Sequence, residues 1–333
     1  MVEGTLGSHH KEGSTKMTQT TTIAAGIDTA KHKLDVAIDG CPQRWTFAND
    51  GDGIAELIRL MCRRKVTRIG IEATGGYERE ALTRLRRADF AVVLLQPIQV
   101  RAFATFQLCR AKSDSIDAAL IAACVAYRES VRQPPDPRLQ PLCDRLTFIE
   151  QIEEDIARNK VRLEHAHNAD QRRLLKADID RLTKRRTTMI AKLSAAVDRH
   201  HDLAQRRDLV ASIAGIGPRT ALAMIIRMPE LGHVSREQAA CLAGVAPFVH
   251  DSGKRKGERH IAGGRGRLRK SVYSAALPAA FFHNPQLKAL YQRMKTAGKP
   301  HKVIMTACVR KLVIFANTVL ARGTPWNHAS APA

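Results

Sequence analysis

Thr22-Ile23-Ala24-Ala25-Gly26-Ile27-Asp28 and Arg68-Ile69-Gly70-Ile71-Glu72 decide the fold of the first third of this chain. Each is a short apolar run that ends on an acid, so each reads as a buried strand handing a carboxylate to exposed chain. Working outward, the pattern predicts strands over Lys33–Ile38 and Arg44–Ala48 and a helix over Gly53–Arg64. After Glu72 it predicts a helix over Tyr77–Ala88, a strand over Phe90–Gln96, and helices near Ile98–Phe106 and Asp114–Arg128. Three strands followed by alternating helices and strands make an α/β domain with a mixed sheet over residues 21–130. In that order the first and fourth strands can lie side by side, which brings Asp28 near Glu72.

Asp114 and Asp117, three apart on the last helix, complete a quartet of acids. Hard cations such as Mg²⁺ or Mn²⁺ take oxygen ligands, and two of them roughly 3.5–4 Å apart steady the attacking and leaving oxygens of phosphoryl transfer. Asp28, Glu72, Asp114 and Asp117 are therefore the candidate metal ligands for phosphodiester chemistry.

The 333 residues carry 54 Lys and Arg against 32 Asp and Glu, a formal charge of +22, which calls for a polyanionic partner, nucleic acid first. Residues 251–310 hold fourteen Lys or Arg and only Asp251 and Glu258 as acids, so the polyanion is expected there. Seven scattered cysteines with no Cys-x-x-Cys pair point to a reducing cytoplasm and away from structural zinc. The longest apolar candidate, Leu209–Met228, is broken by Gly215, Gly217, Pro218 and Arg219, so no membrane segment is expected. Residues 1–20 lack a signal core and read as a disordered extension or remnant, and 323–333 as a flexible tail.

A Pro-rich stretch between Arg132 and Pro141 is the first expected boundary. Residues 142–207 are charged and free of glycine and proline, with apolar positions at Leu175, Ile179, Leu182, Met189, Leu193 and Val197, the pattern of a coiled-coil hairpin. That hairpin is either a solvated intramolecular feature or a dimerisation arm. A mainly helical region, 208–322, follows. Within it Gly215-Ile216-Gly217 lies between two apolar helices and resembles a helix-hairpin-helix turn. Such a turn either aims backbone N–H groups at a phosphate or simply connects two helices.

Ser252 sits in the most unusual stretch, Ala246 to Lys270, where cations and glycines alternate. On one reading Lys254, Arg255, Lys256, Arg259, Arg265, Arg267, Arg269 and Lys270 neutralise phosphates in a flexible loop and Ser252 only donates a hydrogen bond. On the other, Ser252 attacks phosphorus, which requires activation of a poor nucleophile and cations to stabilise the charge that develops. His250 and His260 flank it; His165, His167, His200 and His201 cannot share a helical face as i, i+4 ligands do.

Gly26-Ile27-Asp28-Thr29-Ala30-Lys31, Gly70-Ile71-Glu72-Ala73-Thr74-Gly75-Gly76-Tyr77, Ala111-Lys112-Ser113-Asp114-Ser115-Ile116-Asp117-Ala118 and the stretch from Gly244-Val245-Ala246-Pro247 to Ser252-Gly253 together resemble the IS-one-ten transposases, the DEDD insertion-sequence family that also includes the Piv-type DNA invertases. The resemblance runs in order over roughly residues 21–320. It implies a RuvC-like, RNase H-type N-terminal domain bearing Asp28, Glu72, Asp114 and Asp117, and a C-terminal transposase domain with Ser252 as nucleophile. It further implies a covalent 5′-phosphoserine intermediate, donor and target DNA, a structured noncoding bridge RNA as guide, a homo-oligomer (dimer or tetramer), and a bacterial, nucleoid-associated setting. Val245 stands where the family commonly has Leu, a conservative departure. The competing expectations are a hydrolytic RuvC-like nuclease in which water attacks, and a nucleic-acid-binding protein without activity.

Overall fold

The computed structural model describes residues 23–109, 114–128, 136–248, 257 and 259–327, with backbone alone for 114–116. The terminal segments expected to be disordered or flexible lie wholly or mostly outside these residues. The chain divides into two compact units, residues 1–134 and 135–333.

The first unit holds strands β1 (Ala24–Thr29), β2 (Lys33–Ile38) and β3 (Arg44–Ala48), helix α1 (Gly51–Arg63), β4 (Arg68–Glu72), α2 (Arg79–Arg87), β5 (Ala91–Leu95), α3 (Pro97–Phe106) and α4 (Asp114–Ala126). The sheet order is β3-β2-β1-β4-β5, antiparallel from β3 to β1 and parallel from β1 to β5. This mixed order is the RuvC-like, RNase H-type arrangement. Side chains alternate across the pleat, so Ala25, Ile27, Ile69 and Ile71 meet Ile54, Leu57 and Met61 of α1 and Ala81 and Leu85 of α2 on one face. On the other face Ala24, Val93 and Leu95 meet Val100 of α3 and Ile121 and Val125 of α4.

That second face is set by two glycines. Gly26 and Gly70 are partners in the parallel β1–β4 ladder, and both are buried. A Cβ on Gly26 would lie 2.2 Å from the Ala118 carbonyl oxygen and 2.3 Å from the Ala122 nitrogen; one on Gly70 would lie 2.4 Å from a Val125 methyl. With no side chains there, the α4 backbone rests directly on the sheet. Arg68 then donates to the carbonyls of Val125 and Arg128, tying the C-terminal end of α4 to the start of β4.

The second unit holds α5 (Leu139–His165), α6 (Ala169–Asp198), α7 (His201–Ala211), α8 (Pro218–Arg227), α9 (Arg236–Ala243), a short ladder of β6 (Pro247–Phe248) and β7 (His260–Ile261), α10 (Gly266–Pro278), a π-helical turn (Ala279–His283), α11 (Pro285–Thr296) and α12 (His301–Arg322). α5 and α6 form the long hairpin, and its base is part of the unit's own core: Leu142, Leu146 and Ile149 of α5 and Leu193 and Val197 of α6 join residues of α7 to α12. The helix that meets the length and composition of a membrane span is α12, not Leu209–Met228. It is the central core helix, with Ile304, Met305, Val309, Leu312, Phe315 and Ala316 buried among its neighbours. Interior helices of a large bundle need an apolar surface nearly all round.

Charge locks α5 onto this bundle. Glu150 accepts from Arg227 at 3.0 and 2.7 Å and from Arg267 at 3.0 Å, with Arg219 3.8 Å away, although its side chain is only 8% exposed. Glu153 takes a two-pronged contact from Arg219 at 3.0 and 2.7 Å, and Glu154 one from Lys270 at 3.1 Å.

Two stability predictions follow from these contacts. Gly26→Val lifts α4 and destabilises the first unit by about 1–3 kcal/mol, read by urea unfolding. Glu150→Ala leaves clustered guanidiniums without their buried counter-ion and costs about 3–5 kcal/mol, read the same way; wild-type stability in either variant refutes the corresponding contact.

Candidate active site and nucleic-acid interface

The last β1–β4 ladder pair, Ile27 with Ile71, puts Asp28 and Glu72 next along two adjacent parallel strands. By alternation both acids share the face of Gly26 and Gly70, the face covered by α4. Both are half-buried. Asp117, also half-buried, immediately precedes Ala118, whose carbonyl oxygen is the group closest to Gly26. The same glycine contact that seats the helix therefore delivers its first turn toward the strand ends. The side chain of Asp114, which begins α4, lies outside the described residues, so three of the four expected acids are placed. Acids at a helix N-terminus also offset its partial positive charge.

Two residues missed from the sequence belong to this surroundings. Asp35 is the antiparallel partner of Asp28, on the same face, and its carboxylate is engaged by Lys33 at 2.9 Å and by the Thr46 hydroxyl at 2.7 Å. Like charges across a ladder repel, and these two contacts offset that repulsion. The Lys33-Leu34-Asp35 alternation was the available signal. Glu78 follows the Glu72 motif and is 7% exposed. Its carboxylate accepts from the Thr74 and Gly76 nitrogens at 3.2 and 2.8 Å and from the Thr74 hydroxyl at 3.1 Å. Gly75 and Gly76, at φ +83° and +132°, make that turn possible. Asn49 donates to the carbonyls of Ala30 and Tyr77, joining the loops that follow Asp28 and Glu72.

Burial alone raises the Glu78 carboxyl, but the hydrogen bonds from its own amide, Gly76 and Thr74 outweigh it and hold the group below its ordinary range.

Among the described residues no three His, Cys, Asp or Glu stand close enough together to hold a metal ion. Asp28 and Glu72 sit at the ends of two adjacent central strands and Asp117 in the first turn of the helix that covers them, and all three offer oxygen donors, the type that suits a hard divalent cation.

In the second unit, β6 and β7 pair Pro247 with Ile261 and Phe248 with His260, closing the segment that contains Ser252. Ser252, Lys254, Arg255 and Lys256 lie outside the described residues. Below the ladder the chain is tightly packed, which corrects the reading of this stretch as a uniformly flexible loop. A Cβ on Gly264 would lie 2.2 Å from the Gly244 nitrogen, and one on Gly244 would lie 2.4 Å from the Gly263 carbonyl oxygen. Arg269 donates to the carbonyls of Gly244 and Gly263 at 3.0 and 2.9 Å, pinning both flanks.

Several cations expected on phosphates have partners inside the protein. Arg265 makes a two-pronged contact with Glu230 at 2.9 and 2.5 Å, Arg267 is held by Glu150, and the exposed Lys270 by Glu154. Arg259 is exposed at the ladder without an ion pair among the described residues. Gly215, at φ +96°, lies where a Cβ would meet the Ala279 Cβ at 2.3 Å, so packing against the π-helical turn explains it. Gly217 is exposed at the N-terminus of α8, with open space beside it.

Strand-end carboxylates on an RNase H-type sheet, together with a cationic helical unit, are the features of an enzyme that acts on nucleic-acid phosphodiesters. A family model for a DEDD transposase of the IS110 type matches residues 25–169, and one described as "Transposase IS116/IS110/IS902 family" matches residues 207–292. The chain belongs to the IS110 transposase family. Pilin gene-inverting proteins from Moraxella bovis and Moraxella lacunata are each 26% identical over 318 residues, spanning 91% of this chain and 97% of theirs. A Thermus thermophilus RuvC structure overlaps 34% of this chain and 85% of its own at 16% identity and a TM-score of 0.22.

Because the Glu78 carboxyl is lower in the folded state than in the unfolded chain, its stabilisation is full above the ordinary carboxylate range and is lost as pH falls through the folded value. Glu78→Gln is expected to be about 1–3 kcal/mol less stable than wild type at pH 7, with the gap closing below about pH 4. Denaturant melts across pH check this, and a gap independent of pH refutes it.

Proposed function

We propose that this transposase cuts and rejoins DNA through a covalent phosphoserine, with Ser252 as nucleophile and Asp28, Glu72, Asp114 and Asp117 as ligands of Mg²⁺ or Mn²⁺. Support for the metal half comes from the seating of α4 on Gly26, which turns the first turn of that helix, with Asp117, toward the strand ends that carry Asp28 and Glu72. In sequence Ser252 falls between β6 and β7, and Arg269 pins the carbonyls of Gly244 and Gly263 on either side of that ladder. Bound divalent cations would lower the cost of charge on the scissile phosphate.

In the forward step the Ser252 Oγ forms a bond to phosphorus while the bond to the DNA 3′-oxygen breaks, and the serine proton is balanced by protonation of that leaving oxygen. The 5′-phosphate stays on the serine. Attack by the 3′-hydroxyl of a second strand reverses these changes and releases the serine, so no external energy source is needed. The substrates are donor and target DNA, the guide is a structured noncoding RNA, and the working form is a homo-oligomer acting at the bacterial nucleoid. Membership of the family supports the DNA substrates, the +22 charge agrees with a polyanionic partner, and the guide RNA and the oligomer are what the resemblance to that family implies. The name of the Moraxella relatives favours inversion of a DNA segment as one outcome of the same chemistry.

Incubation with cognate DNA, co-purified RNA and Mg²⁺ is expected to yield a denaturation-resistant protein–DNA adduct. Ser252→Ala abolishes it, and Asp28→Asn lowers its formation by at least about a hundredfold, the scale of losing one group that stabilises transition-state charge. Free 5′-phosphate ends without adduct in the wild type would instead identify hydrolysis by water, and sequencing of the co-purified nucleic acid tests the guide.

A further inference from the structure

Two charged concavities in the second unit differ in one respect. The one between α5, α8 and α10 is lined by Glu150, Glu153 and Glu154 as well as by cations, and its charges are paired. The other, about 780 Å³, is bounded by the β6–β7 ladder, α10, α11 and α12, and no Asp or Glu among the described residues lines it. Arg259, Lys302 and Arg310 line it without an ion pair among the described residues, while Tyr273, Met294 and Ala307 contribute ring and aliphatic surface.

We propose that this second cavity holds one unstacked nucleotide of a DNA strand, its phosphate on Arg259, Lys302 and Arg310 and its base against Tyr273 and Met294. Cations without counter-ions favour a phosphate, and an aromatic and thioether surface favours the face of a base. The size suits a ligand of nucleotide dimensions, since small-molecule sites run to about 300–1,000 Å³. A stacked duplex cannot bring a base to such a concave surface; an extruded or single-stranded nucleotide can. The Arg259 side of the cavity belongs to the ladder that closes the Ser252 segment, so the site would hold a nucleotide in the strand being processed. This inference rests on the DNA-processing reading but not on the identity of the attacking group.

The test compares binding of a fluorescein-labelled thymidine oligonucleotide, about twelve long, with a duplex and with a uridine RNA of the same length, in the spread of single-strand site sizes. Full-length Ser252→Ala protein in EDTA serves as the parent, so neither nucleophile nor metal contributes. Thr306→Leu/Ala307→Leu adds aliphatic bulk to the cavity; the Thr306 hydroxyl bonds the Lys302 carbonyl in its own helix, so the hydrogen bond lost is not a tertiary one. The expected result is a loss of at least about tenfold for the DNA single strand and less than about twofold for the duplex. Equal loss on both, no loss on either, or tighter parental binding of the RNA overturns the proposal. If circular dichroism shows that the filled variant does not fold, Lys302→Ala/Arg310→Ala decides by the same selective loss. Single-strand selectivity that survives while wild type forms no adduct overturns the serine chemistry alone; an adduct without that selectivity overturns the pocket alone.

Discussion

The close seating of α4 on the Gly26–Gly70 pair is the constraint on which the first unit depends. A helix ordinarily packs on a sheet through layers of side chains, and here the layer is missing at two neighbouring ladder positions. The backbone descends into the gap, Arg68 holds its C-terminal end, and its acidic first turn is carried toward the strand ends that bear Asp28 and Glu72. One small-residue pair thus couples packing to chemistry: any side chain at either glycine would raise the helix and displace Asp117 with it. The surrounding polar contacts serve the same edge. Lys33 and Thr46 engage the extra carboxylate of Asp35, Glu78 freezes the turn after Glu72, and Asn49 ties the two loops together.

The second unit is organised by a different force. Its core is a large apolar cluster around α12, but the long hairpin is fastened to it by three glutamates within about one turn of α5 that meet Arg219, Arg227, Arg267 and Lys270. This explains why a strongly basic stretch does not present all its charge outward. Arg265, Arg267 and Arg269 spend their donors on Glu230, Glu150 and two loop carbonyls, so much of the local excess is internal scaffolding. Arg259, Lys302 and Arg310, which have no ion pair among the described residues, line one cavity, and it is the pairing pattern, not the count of Lys and Arg, that distinguishes a ligand surface from a structural one.

Much was legible in the chain itself. Alternation and apolar runs located the strands of the first unit to within a residue or two, because a half-buried sheet enforces a period of two on its sequence. The end-of-strand positions of Asp28 and Glu72 followed from the same pattern, and the motif set pointed to the family. Asp35 is not legible as a site residue because a single acid in an alternating strand looks like an ordinary solvent-facing residue. In α12, Lys and Arg interrupt the apolar sequence, although they fall outside its buried stripe. The glycines at 263 and 264 read as flexibility in sequence, whereas their role is close backbone approach to Gly244, about twenty residues away, which no local window reveals.

The sequence by itself determined which residues are chemically able to act: four carboxylates, a serine among cations, and an apolar pattern that could bury two cores. Tertiary structure decided which of them meet. Strand pairing set Asp28 beside Glu72 and opposite Asp35, the glycine gap determined how deeply α4 and Asp117 descend, and carboxylates distant in sequence determined which cations are bound and which are left for a ligand. The physical reason is that charge and periodicity are properties of a residue and its neighbours in the chain, whereas ion pairing and backbone clearance depend on what the fold brings within a few ångströms.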